Sequence, residues 1–344
     1  MSAVQIKMPV MTPGKLRGLQ AVSTAKGVID ALALDQRGSL AALMTGASGR
    51  DPNPAMLREF KSSITQSLTP EASAILLDLE LGSEAAKLRA PGAGLILTYE
   101  RDAYVNRTLH RMPELISGLS VKLLKEAGAD CVKLLIHYSP QAPEEINRAK
   151  RSLVEKVGAE CAAEDIPLLL EVLGYDAQGG DEKGLDYARR KPEMVAFNMA
   201  EFSRPDYAVD VLKIEMPVNM KYVDGTQSMN AADTGGAKQA AYSRQEAVEC
   251  FRQAAGATSK PFIYLSAGVS HAEFVEGLAL ATEAGVPYSG VLCGRAIWQD
   301  GARVYAREGR DALTRWIDDK GHAHIRSVND CLASAQAWCL RGAT

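Results

Sequence analysis

Residues Val209–Met216 read VDVLKIEM, and Pro217 follows at once. An apolar run this short, punctuated by Asp and Pro, fits a strand covered on both faces better than a buried helical segment. It nevertheless carries Lys213 near its middle and Glu215 two places on. Side chains alternate along a strand, so these two lean to the same side.

Seven other runs of the same kind lie around it: Val28–Asp35, Ala72–Leu79, Gly94–Tyr99, Asp130–His137, Ile166–Val172, Pro261–Ala267 and Ser289–Cys293. Segments with helical spacing separate them, clearest in Pro113–Ala127, Glu144–Glu164 and His271–Ala284. That rhythm is the signature of βαβ units. Eight of them predict an α/β fold of the closed (β/α)₈ TIM-barrel type. An open dinucleotide-binding sheet would carry G-x-G-x-x-G after its first strand, and Asp35-Gln36-Arg37-Gly38-Ser39-Leu40 is not that. No linker or shift in composition divides the chain. Residues 1–344 are therefore expected to form one domain, with a barrel core of about residues 27–300, a short N-terminal lead and closing C-terminal helices.

Composition bounds the function. The 344 residues are 47% hydrophobic with a net charge of −3, which gives no basic surface for nucleic acid. No stretch reaches the roughly 18 consecutive apolar residues of a membrane span. The opening MSAVQIKMPVMTPGKLRGL does not read as a signal peptide. Six scattered cysteines without a C-x-x-C pair read as reduced thiols. A cytoplasmic protein is expected, free of nucleic-acid and membrane partners. Exposed outer helices make a homo-oligomer plausible.

Charge inside the apolar runs is the sharpest chemical signal. Lys133 interrupts CVKLLI as Lys213 interrupts DVLKIE, while Asp35 closes ALALD and Glu171 closes PLLLE. A lysine in a buried strand is costly unless it is paired, neutralised or functional. One reading is a set of buried ion pairs that hold the strands in register. The other is catalysis: a lysine beside a second cation loses its proton more easily, and its free amine can attack a carbonyl to form an imine. A neighbouring carboxylate would move the protons. A protonated imine is its own electron sink, so neither metal nor cofactor is needed. The five histidines show no metal-ligand spacing; His322 and His324 read as solvated, and His137 shares strand parity with Lys133.

Two further features fall where barrels build their sites, beyond the C-terminal ends of the strands. The seventh run ends Leu265-Ser266-Ala267-Gly268 and the eighth Cys293-Gly294-Arg295, a pattern suited to phosphate through backbone N–H groups and an arginine fork. The connections Leu173–Gly184 and Pro217–Ala241 are rich in Gly and Asp, and the second is long for a loop. Both are expected to act as lids.

The motifs ALALDQRGSL, SAILLDLELG, GLILTYE, CVKLLIHY, AEDIPLLLEVLGYD, VDVLKIEMPVNM, YLSAGVS and GVLCGRAIW occur together, from about Gly27 to Trp298. In order and spacing they resemble the class I tagatose 1,6-bisphosphate aldolases. The resemblance implies cleavage of D-tagatose 1,6-bisphosphate to glycerone phosphate and D-glyceraldehyde 3-phosphate, in the tagatose 6-phosphate route of lactose breakdown. It implies Lys213 as the imine-forming residue and Glu171 as the acid/base, with Asp35 and Lys133 assisting at the carbonyl and hydroxyls. Gln36 and Arg37 would contact substrate, Arg37 at the 6-phosphate. Ser266, Gly268, Gly294 and Arg295 would hold the 1-phosphate. Alternatives remain: a related aldolase acting on 6-deoxy-6-sulfofructose 1-phosphate or another ketose 1-phosphate, and a barrel that senses sugar phosphates without turning them over.

Overall fold

The computed structural model of the chain describes residues 11–102, 108–231 and 239–340. Eight strands close into one barrel in sequence order. They are β1 (Ile29–Ala33), β2 (Ala74–Leu77), β3 (Gly94–Thr98), β4 (Cys131–His137), β5 (Leu168–Leu173), β6 (Val211–Glu215), β7 (Phe262–Leu265) and β8 (Gly290–Cys293). Every neighbouring pair is parallel, including β1 with β8. Seven fall inside the apolar runs and β5 passes the end of its run by one residue, Leu173, so the expected TIM barrel is the observed fold.

Helices wrap the outside as anticipated over Glu144–Ala163 and His271–Glu283. The expected helix Pro113–Ala127 is mostly absent: only Val121–Glu126 is helical. Pro113 lacks an N–H, Gly118 sits at φ +76°, and Ser120 caps Leu123, so helix can begin only after them. The upstream stretch is irregular instead, with a turn at Ser117 and Gly118, and Leu115 bridges antiparallel to Glu100.

Strand parity sorts the barrel interior into layers. Ile29, Ala31, Ala33, Ala74, Leu76, Ile96, Cys131, Leu169, Val211, Ile263 and Leu292 pack into one buried apolar cluster. These positions alternate with outward-facing residues such as Leu32, Val132, Leu170 and Leu212, which belong to the main core against the helices. The helix Pro13–Ala21 lies against the lower, N-terminal end of the barrel. Lys15 pairs with Asp210 at 2.8 Å, and the Asp165 carboxylate accepts from the Gly14 N–H at 2.8 Å.

The C-terminal helix His322–Asp330 packs against the outer helices His271–Glu283 and Arg295–Glu308, which corrects the reading of its histidines as solvated. His322 Nδ1 meets Glu71 at 2.7 Å, and His324 stacks on His271 with ring centroids 4.1 Å apart. The segment is mostly polar, but Ile325 and Val328 give the helix a buried face. The connection Pro217–Ala241 is also less irregular than its composition suggests, with a turn at Met220–Tyr222 and a short helix at Gln227–Ala231. Residues 232–238 of that expected lid lie outside the described residues.

Candidate active site

One step up from the apolar cluster, the inward positions of β1, β4, β5 and β6 become charged. Ala33 is followed by Asp35, Cys131 by Lys133, Leu169 by Glu171, and Val211 by Lys213. On β3, Ile96 gives way to Thr98 and then Glu100. The strand register sets Glu171 directly opposite Lys213, and Thr98 opposite Lys133. The alternation that builds the apolar floor thus also gathers five ionisable side chains above it, all nearly buried.

Glu171 Oε2 lies between the two lysines, accepting from Lys213 Nζ at 2.8 Å and standing 3.0 Å from Lys133 Nζ. Lys133 also donates to Asp35 Oδ2 at 2.8 Å and to Glu100, whose carboxylate is itself fixed by Thr98 Oγ1 at 2.6 Å. Burial disfavours an ammonium, but Asp35, Glu100 and Glu171 outweigh it and hold Lys133 protonated well above the usual lysine range. Burial likewise pushes the Asp35 and Glu171 carboxyls up, yet Lys133 and Lys213 hold both below their ordinary values. Lys133 is therefore a fixed cation, and the carboxylate it shares with Lys213 is ionised.

Glu215 does not join this cluster. Its carboxylate accepts from Gly174 N–H at 2.8 Å and pairs with Lys191 at 2.8 Å. Its inward parity matches that of Lys213, but it sits higher, where the helix Leu185–Glu201 supplies a cation.

Above the cluster opens a cavity of about 800 Å³, lined among others by Asp35, Gln36, Arg37, Lys133, Glu171 and Arg295. The Gln36 Oε1 and Arg37 Nε atoms are buried there without a protein partner, while Arg37 Nη2 donates to the Glu100 carbonyl at 3.0 Å. His137 faces the cavity from β4. Burial, with Arg111 and Lys150 nearby, drops its pKa to about 3, so it is a neutral imidazole.

At the ends of β7 and β8 the backbone bends to make room for a guanidinium. Ala267 and Gly268 both adopt positive φ, +49° and +79°. A Cβ on Gly268 would stand 2.7 Å from the Arg295 Cζ, and one on Gly294 would stand 2.5 Å from the Ala33 carbonyl oxygen. Arg295 opens the helix Arg295–Glu308, so its side chain and the first free N–H groups of that helix lie together. Ser266, one residue beyond β7, is nearly buried; with Gly268 it lines a neighbouring cavity, whereas Arg295 lines the main one.

Sequence reading missed several cavity residues. Glu100 closes LILTYE just as Asp35 closes ALALD, so its signal was present. Arg111, Asp176 and Glu182 also line the cavity, but they lie in polar loops and nothing in their spacing marks them. Among the described residues, no group of three His, Cys, Asp or Glu side chains is arranged to hold a metal, and no helix is long and apolar enough to cross a membrane.

A family model described as DeoC/LacD family aldolase matches residues 29–300. The chain is 45% identical over 325 residues to a tagatose 1,6-diphosphate aldolase of Listeria monocytogenes serotype 4a, covering 94% of this chain and 93% of that one. It is 44% identical over 332 residues to tagatose 1,6-diphosphate aldolase 2 of Enterococcus faecalis, covering 96% and 97%. Among solved structures, an archaeal fructose 1,6-bisphosphate aldolase superposes with a TM-score of 0.56 at 15% identity, over 91% of this chain and 98% of that one. A Schiff base-forming fructose-1,6-bisphosphate aldolase gives 0.54 at 14%, over 91% and 97%. At such identities this likeness concerns the fold alone.

Proposed function

The chain belongs to the DeoC/LacD family of aldolases, and from that premise we propose that it is a class I aldolase cleaving D-tagatose 1,6-bisphosphate into glycerone phosphate and D-glyceraldehyde 3-phosphate. The observation that carries the chemistry is a single carboxylate oxygen, Glu171 Oε2, within 3.0 Å of two buried strand lysines.

In this reading Lys213 gives a proton to Glu171, and its free amine attacks the C2 carbonyl of the open-chain ketose. The carbinolamine loses its hydroxyl as water, protonated by Glu171, leaving a protonated imine on Lys213 Nζ. A carboxylate then takes the proton of the C4 hydroxyl, the C3–C4 bond breaks, and its electron pair flows into the imine to give an enamine. Glyceraldehyde 3-phosphate departs as the aldehyde. Protonation of the enamine at C3 and hydrolysis of the imine release glycerone phosphate and restore Lys213. The Lys133 ammonium and Asp35 hold the hydroxyls from which protons move. Ser266, the Gly268 and Gly294 backbone, and Arg295 hold the 1-phosphate.

The relatives' names favour a ketose bisphosphate over 6-deoxy-6-sulfofructose 1-phosphate. Steady-state cleavage of both compounds tests the assignment. A higher kcat/KM on tagatose 1,6-bisphosphate supports it; preference for the sulfonate, or turnover of neither, would refute it.

A further inference from the structure

We propose that Arg111 is a specificity-determining residue, reading the substrate's far phosphate by exchanging its bond to Glu182 for one to that anion; this rests on the cleavage reaction proposed above.

Arg111 comes from the loop after β3 and Glu182 from the loop after β5. Arg111 Nη2 donates to Glu182 Oε1 at 2.6 Å, closing a bridge over the end of β4. Both side chains line the same cavity as Lys133, Glu171 and Arg295. The bridge is only part-buried, with side-chain exposures of 32% and 30%, so solvent or a ligand can reach it.

Its place around the barrel matters most. The closed order β1 to β8 sets β4 opposite β8. Gly294 and Arg295 therefore stand on one side of the mouth, the Arg111–Glu182 bridge on the other, and the Lys213–Glu171–Lys133 cluster between them. A bisphosphate with its 1-phosphate at β8 and its carbonyl at Lys213 directs its other end toward Arg111. Arg37 rises beside β8, at the end of β1, with one nitrogen committed to the Glu100 carbonyl.

Arg111 is also held ready. Its backbone occupies φ +46°, uncommon for a residue with a side chain, and its guanidinium lies 5.5 Å from the Tyr175 ring centroid. The partner it would release is not stranded, because Glu182 Oε1 also accepts from the Asp176 N–H at 3.2 Å. A dianionic phosphate offers Arg111 a stronger, two-pronged contact than one carboxylate oxygen. Neutral His137 beneath adds no competing cation.

The test is the ratio of kcat/KM on tagatose 1,6-bisphosphate to that on tagatose 1-phosphate, in the full-length enzyme. Arg111→Met should reduce this ratio about ten- to hundredfold, the worth of a charged hydrogen bond, and Arg111→Lys should restore part of it. Glu182→Gln, which keeps an acceptor for Asp176, should raise the ratio by freeing Arg111. A ratio unchanged in Arg111→Met, or lost in Arg37→Met instead, would overturn the proposal. Imine trapping with glycerone phosphate, which has no far end, separates the two claims. If wild type is trapped but the ratio does not depend on Arg111, only this inference fails; if wild type is not trapped, the reaction itself is misassigned.

Discussion

Lys133 holds together three carboxylates that would otherwise repel one another in a nearly dry site. Lys133→Met leaves Asp35, Glu100 and Glu171 without their common cation, and removal of one partner from buried ion pairs typically destabilises by about 3–5 kcal/mol. Urea unfolding near pH 7 should show a loss of that order, shrinking at low pH as protons replace the ammonium. A loss below about 1 kcal/mol would contradict a charged cluster. Asp35 gives the matching pH signature. Its folded pKa lies below the ordinary carboxylate value. Protonation therefore opposes the native state, and the stability due to Asp35 is complete above about pH 4 and lost as pH falls through the folded value. Wild type should exceed Asp35→Asn in unfolding free energy near neutrality and lose that margin in acid. A margin independent of pH would contradict the pairing. Lys213, Lys133, Glu171 and Asp35 were legible in the sequence because charge is conspicuous in apolar runs. Glu100 carried the same mark; Arg111 carried none, since an arginine in a polar loop looks like any solvated residue.

Among the elements, the strands were legible nearly to the residue because both of their faces are covered, leaving continuous apolar runs. Helices were less so. The stretch Pro113–Ala127 has helical spacing, but a proline, a glycine at positive φ and a serine cap confine the helix to Val121–Glu126. Periodicity shows which face is buried; local backbone chemistry decides where a helix can start. The turn after β7 is constrained in the same way. Gly268→Ala would place a methyl group against the Arg295 guanidinium at a φ that disfavours side chains. We expect it to raise KM for the bisphosphate about tenfold with a smaller change in kcat, the strain being about 1–3 kcal/mol. Steady-state kinetics checks this, with inorganic phosphate as competitor; an unchanged KM would show that Arg295 and this turn do not hold phosphate.

Across the whole molecule, the barrel keeps its chemistry at one end and a structural brace at the other. The site lies at the C-terminal mouth, and the helix Pro13–Ala21 braces the opposite end through Lys15 and Asp210. Asp210 also accepts from the Leu168 N–H at 2.8 Å. Asp210→Ala should therefore lower unfolding stability by about 1–3 kcal/mol while KM and kcat hold at temperatures where the variant is folded; a matching fall in kcat would mean the two ends are coupled. The central claim concerns one atom, Lys213 Nζ. Reduction with borohydride in the presence of glycerone phosphate, followed by peptide mass mapping, tests it most directly. The account predicts a stable adduct on Lys213 that is absent without glycerone phosphate. An adduct on Lys133, or none in the folded wild-type protein, would contradict it.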